Sequence, residues 1–501
     1  MPQSVGKVYL VGAGPGDPEL ITLRGCELLR RADVVVYDYL VNPLVLRHTS
    51  VAAEKICLGS HRQGRILPQE EINRRVISAA QAGKTVVRLK GGDPSIFGRV
   101  SEEVAAIEEA RVPYELVPGV TTALAASSHA GIPLTHRAFA SSVAFVTGRE
   151  CHEKKRTALD FENLARFPGT LVFYMGVTTA PDWATELVAH GKPAHTPVAV
   201  VRHCSLPTQR THRTTLGELP ELLARLQVRP PAIIIVGDVV SAQAQVNEFT
   251  SRPLFGQSVL VTRAEQQSTS LMLRIGELGA AALAQAAIQI GPALEPGPLD
   301  KAIRALAEFN WLVFSSANGV KFFMERLLQL GGDLRRLGSC QLAAIGPATV
   351  AELGKYHLRA DLQPEKYQAE ALAAKLVPAA GGQRVLLVRA SRGREVLAES
   401  LRAAGITVEQ VVAYESNDVS SPDPSIVAAL AAGQINWITI TSSAIARSLV
   451  AMFGEQLRRA RLAAISPLTA GILAEAGFPP DVIAREYSTE GLLQAIVEAC
   501  D

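Results

Sequence analysis

Short apolar runs alternate with helix-patterned segments along the whole chain. Val8–Val11, Val34–Tyr37, Val86–Leu89, Val143–Val146, Leu171–Tyr174 and Ile233–Val236 are rich in β-branched or aromatic residues, and Gly, Pro, Asp or Arg bounds each one. Runs of this length are the pattern of strands buried on both faces, so an α/β fold is predicted, with helices covering parallel-rich sheets. After Pro231–Val240 the pattern breaks into a polar stretch, Ser241–Asn247, and residues 248–256 carry no strong period. A new strand is expected at Val259–Thr262. The boundary is therefore placed there, giving one domain at 1–248 and a second at 254–501. A chain of 501 residues is too long for one ordinary core, which agrees.

The second domain contains an internal repeat. Val259-Leu-Val-Thr-Arg263 matches Val385-Leu-Leu-Val-Arg389, and Trp311-Leu-Val-Phe-Ser-Ser316 matches Trp437-Ile-Thr-Ile-Thr-Ser442, both 126 residues apart. Leu342–Thr349 matches Leu462–Thr469, and Tyr367-x-x-Glu370 matches Tyr487-x-x-Glu490, both 120 apart, so the second copy has one shorter loop. Copies of this size are domain-sized lobes rather than solenoid units. Two similar α/β lobes facing each other across a cleft are expected, and such clefts favour ligand sites.

Composition narrows the function. A formal net charge of +2 points to neither nucleic acid nor a membrane surface. Cys26, Cys57, Cys151, Cys204, Cys340 and Cys500 form no C-x-x-C pair and sit near no patterned histidines. Neither a metal site nor a disulfide framework is expected. The first residues lack the apolar core of a signal peptide, and no apolar run is long enough to span a membrane. A cytoplasmic setting is expected.

Three strand-to-glycine turns carry the candidate chemistry of the first domain. Gly12-Ala-Gly14-Pro15-Gly16-Asp17-Pro18 fails the dinucleotide fingerprint: its third glycine comes one position early, and two prolines remove N–H donors that a pyrophosphate needs. The second turn is Lys90-Gly91-Gly92-Asp93-Pro94-Ser-Ile96-Phe97-Gly98, where paired glycines allow close backbone approach to a ligand and Asp93 either caps the turn or reaches ligand hydroxyls. The third is Val117-Pro-Gly119-Val-Thr121-Thr122-Ala123. Turns at strand ends can converge on one rim of an open sheet.

The spans VGAGPGDPELITLRG, ADVVVYDYLV, RLKGGDPSIFGR and ELVPGVTTALAA, in this order, resemble the tetrapyrrole methylase family, and within it the uroporphyrinogen-III C-methyltransferases, across roughly residues 5–248. The resemblance implies a two-lobed α/β domain, paired as a homodimer, that binds S-adenosylmethionine between its lobes. It also implies transfer of two methyl groups to uroporphyrinogen III, giving precorrin-2. Pro15, Gly91, Gly92, Asp93, Ile96, Thr121, Thr122, Met175 and Cys204 fall on family cofactor positions, with a backbone contact expected at Cys204. Asp38 falls on the proposed base. By itself, without the resemblance, Asp38 reads first as a strand-end cap at a loop. A sulfonium loses its charge as its methyl leaves, so positioning an electron-rich ring carbon in line supplies most of the acceleration. A proton must then be lost, which suits a carboxylate. One departure stands out: Ser60 occupies the place of a family lysine that would partner Asp38, and His61 or Arg62 are possible substitutes. The many substrate carboxylates call for basic side chains; His136, Arg137, Arg149, Arg202 and Arg210 are candidates, though each is also an ordinary solvated residue.

In the second domain, hydroxyls precede helical patterns at Ser315-Ser316, Ser442-Ser443, Thr349 and Thr469. They read as N-caps, and helix N-termini facing a shared cleft also bind carboxylates. RPLFGQSVLVTRA, FSSANGV, AIGPATV, VVAYES and ITSSAIA together resemble uroporphyrinogen-III synthase over about residues 254–499. The resemblance implies two lobes on a two-segment linker, one holding about 257–290 and 418–501. It implies cofactor-free cyclisation of hydroxymethylbilane, with loss of water and inversion of ring D. Tyr414 falls on the tyrosine proposed to help the hydroxyl leave, and Ser315, Thr349, Ser442 and Thr469 are candidates for the substrate cleft. At a strand end, Tyr414 also reads as a packing residue with a wet tip. Two alternatives stay open: a second domain that only binds tetrapyrroles, and a first domain that methylates another precorrin. The product feeds sirohaem or cobalamin formation on either view.

Overall fold

The computed structural model describes residues 5–60, 65–149, 159–242, 247–338, 340–393 and 395–500. His61, Arg62 and Cys151 lie outside the described residues. Among the described residues the strands form four five-stranded sheets and one short hairpin. The apolar runs read from sequence all lie in strands, with ends shifted by a residue or so.

The first sheet is wholly parallel, in the order Glu54–Cys57, Val34–Tyr37, Thr85–Lys90, Lys7–Gly12, Tyr114–Val117. The second is mixed: Arg210–Thr215, Pro197–Arg202, Ala232–Val236, Thr170–Tyr174, Val143–Thr147, with only the last pair parallel. Each sheet has apolar clusters on both faces, which is why its strands read as unbroken runs rather than alternating ones.

The third and fourth sheets carry the duplication into three dimensions. One runs Ala281–Ala284, Ser258–Val261, Trp437–Ile440, Arg461–Ala464, Val482–Ile483; the other runs Ile288–Pro292, Thr407–Asp418, Arg384–Ala390, Trp311–Phe314, Gln341–Ala344. Side-chain bonds recur copy for copy. Asn310 Oδ1 accepts from Arg384 N at 3.0 Å, and Asn436 Oδ1 from Ser258 N at 2.8 Å. Asp361 Oδ2 accepts from Leu342 N, and Asp481 Oδ2 from Leu462 N, both at 2.7 Å. Ser316 and Ser442 each cap a helix, accepting from Gly319 N and Ile445 N.

The lobes are joined where Ile288–Pro292 pairs antiparallel with the end of Thr407–Asp418, from Ile288↔Asp418 to Pro292↔Tyr414. With the 126-residue offset, Ile288 corresponds to Tyr414 and Pro292 to Asp418, so each linker strand is the copy of the other. The two cross about a local twofold axis. Tyr414 is therefore not at a strand end, as the sequence suggested. It lies inside a twelve-residue strand, at the register shift where that strand leaves its parallel neighbour for its antiparallel one.

The stretch without period around 248–256 is a packed joint. Phe249 is buried edge-on against the His129 ring at 4.4 Å, while Leu254 is buried in the core of the third sheet. Asn247 Nδ2 and Gln209 Nε2 both donate to His129 O. Leu44, six residues past Asp38, packs against that same core.

Candidate active sites

Three glycine turns meet at the end of the first sheet because no side chain intervenes. Gly14 and Gly92 exchange backbone hydrogen bonds of 3.2 and 2.7 Å. A Cβ on Gly12 would lie 2.6 Å from Gly119 Cα, and one on Gly119 would lie 2.3 Å from Gly92 O. Asp93 ties two turns together: Oδ1 accepts from Ser95 N at 2.8 Å and Oδ2 from Gly119 N at 2.9 Å. It thus caps its own turn and clamps the next.

The second sheet closes on this cluster. The Tyr174 hydroxyl lies 2.6 Å from Thr121 Oγ1 and accepts from Ala123 N at 3.1 Å. Burial pushes its phenol above the ordinary value. Met175 follows in the left-handed region at φ 53 with its side chain half exposed. Ser205 Oγ accepts from Asp17 N at 3.0 Å, and Cys204 lies beside Gly16, its thiol 3.9 Å from Thr122 O. Burial pushes the Cys204 thiol up to about 12. Pro15, Gly91, Gly92, Asp93, Ile96, Thr121, Thr122, Met175 and Cys204 thus sit on or beside the meeting turns. Within this cluster Gly91 and Gly92 are the glycines that an added Cβ would crowd least. A Cβ at Gly91 would meet only Leu40 at 3.6 Å, and one at Gly92 would first meet Thr122 Oγ1 at 3.5 Å. Backbone open to that extent fits close approach by a bound group.

Asp38 stands at the end of the neighbouring strand Val34–Tyr37. Its side chain does not cap. Oδ1 accepts from Arg88 Nη2 at 2.6 Å. Arg88 in turn reaches Glu103 Oε1, from Nε at 3.2 Å, and Lys90 Nζ reaches the same oxygen at 2.8 Å. The cation expected from residue 60 or its neighbours is thus supplied beside Asp38 from the adjacent strand. Sequence reasoning missed Arg88, Lys90 and Glu103. The signal was present as two cations spaced i, i+2, on one face of a strand otherwise apolar.

The basic candidates are dispersed. His136 Nδ1 accepts from Ala138 N, Arg202 donates to Arg229 O, and Arg210 lies by the joint near Gly256. Arg137 and Arg149 are exposed.

In the second domain the Tyr414 hydroxyl lies 3.0 Å from Ser316 Oγ, and its ring stacks on Phe322. Burial raises its phenol above the ordinary value, against the opposing pull of its bonds to Ser316 and Asn318. Gln267, from the other lobe, donates to Asn318 Oδ1 at 2.6 Å, so a contact across the cleft lies beside the tyrosine. Arg392, which the sequence did not single out, bonds Ser416 Oγ and Asp418 on the linker strand, and its Nη2 is buried with no partner among the described residues. Ser442 is an N-cap. Ser315, by contrast, donates to Val388 O at 3.2 Å rather than capping. Thr349 and Thr469 are buried in the first turns of their helices, and Thr469 Oγ1 lies 3.2 Å from Ser466 Oγ. The hydroxyls are thus spread over both lobes, with Ser316 the one that touches Tyr414.

Comparison with known proteins adds an independent finding. The family described as tetrapyrrole (corrin/porphyrin) methylases matches residues 7–220, and uroporphyrinogen-III synthase HemD matches residues 256–494. A porphyrin biosynthesis protein HemD of Ruminiclostridium josui is 35% identical over 447 residues, covering 89% of this chain and 88% of the relative. A uroporphyrinogen-III C-methyltransferase of Bacillus subtilis is 38% identical, covering 70% of this chain and 71% of the relative. The chain spans about half the length of the siroheme synthases it matches. Among solved structures, a Thermus thermophilus uroporphyrin-III C-methyl transferase complexed with S-adenyl homocysteine is 43% identical, covering 47% of this chain and all of that one, at a TM-score of 0.41.

Proposed function

Because this chain belongs to the tetrapyrrole methylase family in its first half and to the uroporphyrinogen-III synthase family in its second, we propose that it is a bifunctional enzyme of tetrapyrrole biosynthesis. Its second half cyclises hydroxymethylbilane to uroporphyrinogen III. Its first half methylates that product twice, giving precorrin-2. The observation that carries the reading is the match of one relative across both halves, together with Asp38 and Tyr414 each standing in a built polar setting.

In the first half, S-adenosylmethionine supplies an electrophilic methyl group when bound, and the meeting turns are its proposed cradle. Gly91 and Gly92 admit close backbone approach, Asp93 holds the turns in register, and Thr121, Thr122, Met175 and Cys204 close the other side. Asp38 takes the proton that a ring carbon's neighbour must lose after methylation. Arg88 fixes which carboxylate oxygen faces the substrate. Pairing of two copies through this half belongs to the same proposal; exposed Leu124, Phe139 and Phe145 are apolar surface that a second copy could cover. A cytoplasmic location is also proposed. No helix among the described residues is long and apolar enough to cross a membrane.

In the second half the task is conformational. A flexible linear substrate must be held so that its last ring inverts before closure, and positioning by the two lobes supplies that. Tyr414, whose phenol burial holds above its ordinary value, can donate a hydrogen bond to the departing hydroxyl. Ser316 orients it.

Tyr414→Phe keeps the stacked ring and removes only the donor. It is expected to lower the rate of uroporphyrinogen III formation about 100-fold, the low end of the range for one positioned proton donor. The check is chromatographic separation of the type I and type III isomers formed from hydroxymethylbilane. Wild-type protein yielding type I alone would reduce the second half to a binding module.

A further inference from the structure

The first domain buries an array of charges. Arg88 and Lys90 point to one face of the strand Thr85–Lys90, with side chains 3% and 5% exposed, and Glu103 reaches them from the helix Val100–Glu109, 3% exposed. Glu103 Oε1 accepts from Arg88, Lys90 and Gln69, while Oε2 has no partner among the described residues. Burying such groups is a poor route to stability, since well-packed apolar side chains of similar volume serve as well or better. The array reaches Asp38. Arg88 Nη2 spans from Glu103 Oε1 at 3.1 Å to Asp38 Oδ1 at 2.6 Å, and Asp38, 30% exposed, is the member that reaches the surface of the site.

We propose that Glu103 is a positioning residue for methyl transfer: it locks the guanidinium of Arg88, which in turn holds the Asp38 carboxylate, while Lys90 balances the charge of Glu103. This rests on the assignment of Asp38 as the proton acceptor. Gln69 and the close packing of Gly98, where a Cβ would lie 3.3 Å from Lys90 Cε, keep the array rigid. Burial and the neighbouring Arg88 lower the Lys90 ammonium from its ordinary value, and Glu103 opposes that shift.

The test is a double-mutant cycle between Glu103→Gln and Asp38→Asn on the full chain. Methylation of uroporphyrinogen III gives kcat, and calorimetry gives the Kd for S-adenosylhomocysteine. Glu103→Gln alone is expected to lower kcat about 10- to 100-fold with Kd held within about threefold. In the Asp38→Asn background it is expected to cost less than about threefold more, because its effect passes through Asp38. The same fold-loss in both backgrounds, or an unchanged kcat in the single variant, overturns the inference. Should Glu103→Gln not fold, Glu103→Gln with Lys90→Met removes one charge of each sign and takes its place in the cycle. A wild type that methylates nothing defeats the functional reading, and the inference with it; an active wild type with additive losses defeats the inference alone.

Discussion

Gly119→Ala is expected to abolish methylation while leaving hydroxymethylbilane cyclisation intact. The added Cβ would lie 2.3 Å from Gly92 O, 2.8 Å from Gly12 Cα and 3.0 Å from Gly12 C. All three are backbone atoms, so no rotamer change relieves the clash, and the three turns must move apart. The Gly119 N to Asp93 Oδ2 bond and the Gly14–Gly92 bridge are the contacts at risk. Overpacking of this kind costs about 1–3 kcal/mol, which a domain with apolar clusters on both faces of its sheets should survive. The cradle would not. Affinity for S-adenosylhomocysteine is expected to fall about 100-fold, the binding equivalent of the upper part of that strain. Calorimetry checks the loss, and the isomer assay checks that the second half is unaffected. Affinity within about fivefold of wild type would mean that the turns do not form the cofactor site.

Asp38→Asn separates chemistry from binding. Asparagine keeps the shape and can still accept from Arg88, but it cannot take a proton at neutral pH. Loss of a positioned general base typically costs 10²–10⁴-fold, so kcat is expected to fall by about that much. Asp38 stands on a different strand from the glycine turns, so the Kd for S-adenosylhomocysteine should stay within about threefold. Parallel loss of rate and affinity would mark Asp38 as structural.

Much of the architecture could be read from the chain because the strands are buried on both faces. Val34–Tyr37 is a strand with the bounds its apolar run suggested, and the duplication returns as the same order of four strands and paired capping bonds in both lobes. What escaped was long-range. Arg88 sits inside a run read as apolar, and nothing local shows that Glu103, fifteen residues on, folds back against it. Ser60 lies on Asp38's own connection, whereas the cation that pairs with Asp38 comes from the neighbouring strand. Tyr414 was identified by its motif, but its place in the crossing linker depends on Ile288–Pro292, more than a hundred residues earlier. Likewise, residues 248–256 lack a period because Phe249 and Leu254 face different domains, not because the segment is a loose tether.

The joint gives the fusion a physical basis. Leu44, on the segment that follows Asp38, packs against the core of the second domain, so the two halves share a surface as well as a chain. The account's central claim is that one polypeptide performs both steps in sequence. Its most direct test supplies purified protein with hydroxymethylbilane and S-adenosylmethionine together and determines the product by mass and isomer type. The expected product is the type III macrocycle carrying two added methyl groups, precorrin-2. Unmethylated material, or a type I macrocycle alone, would contradict it.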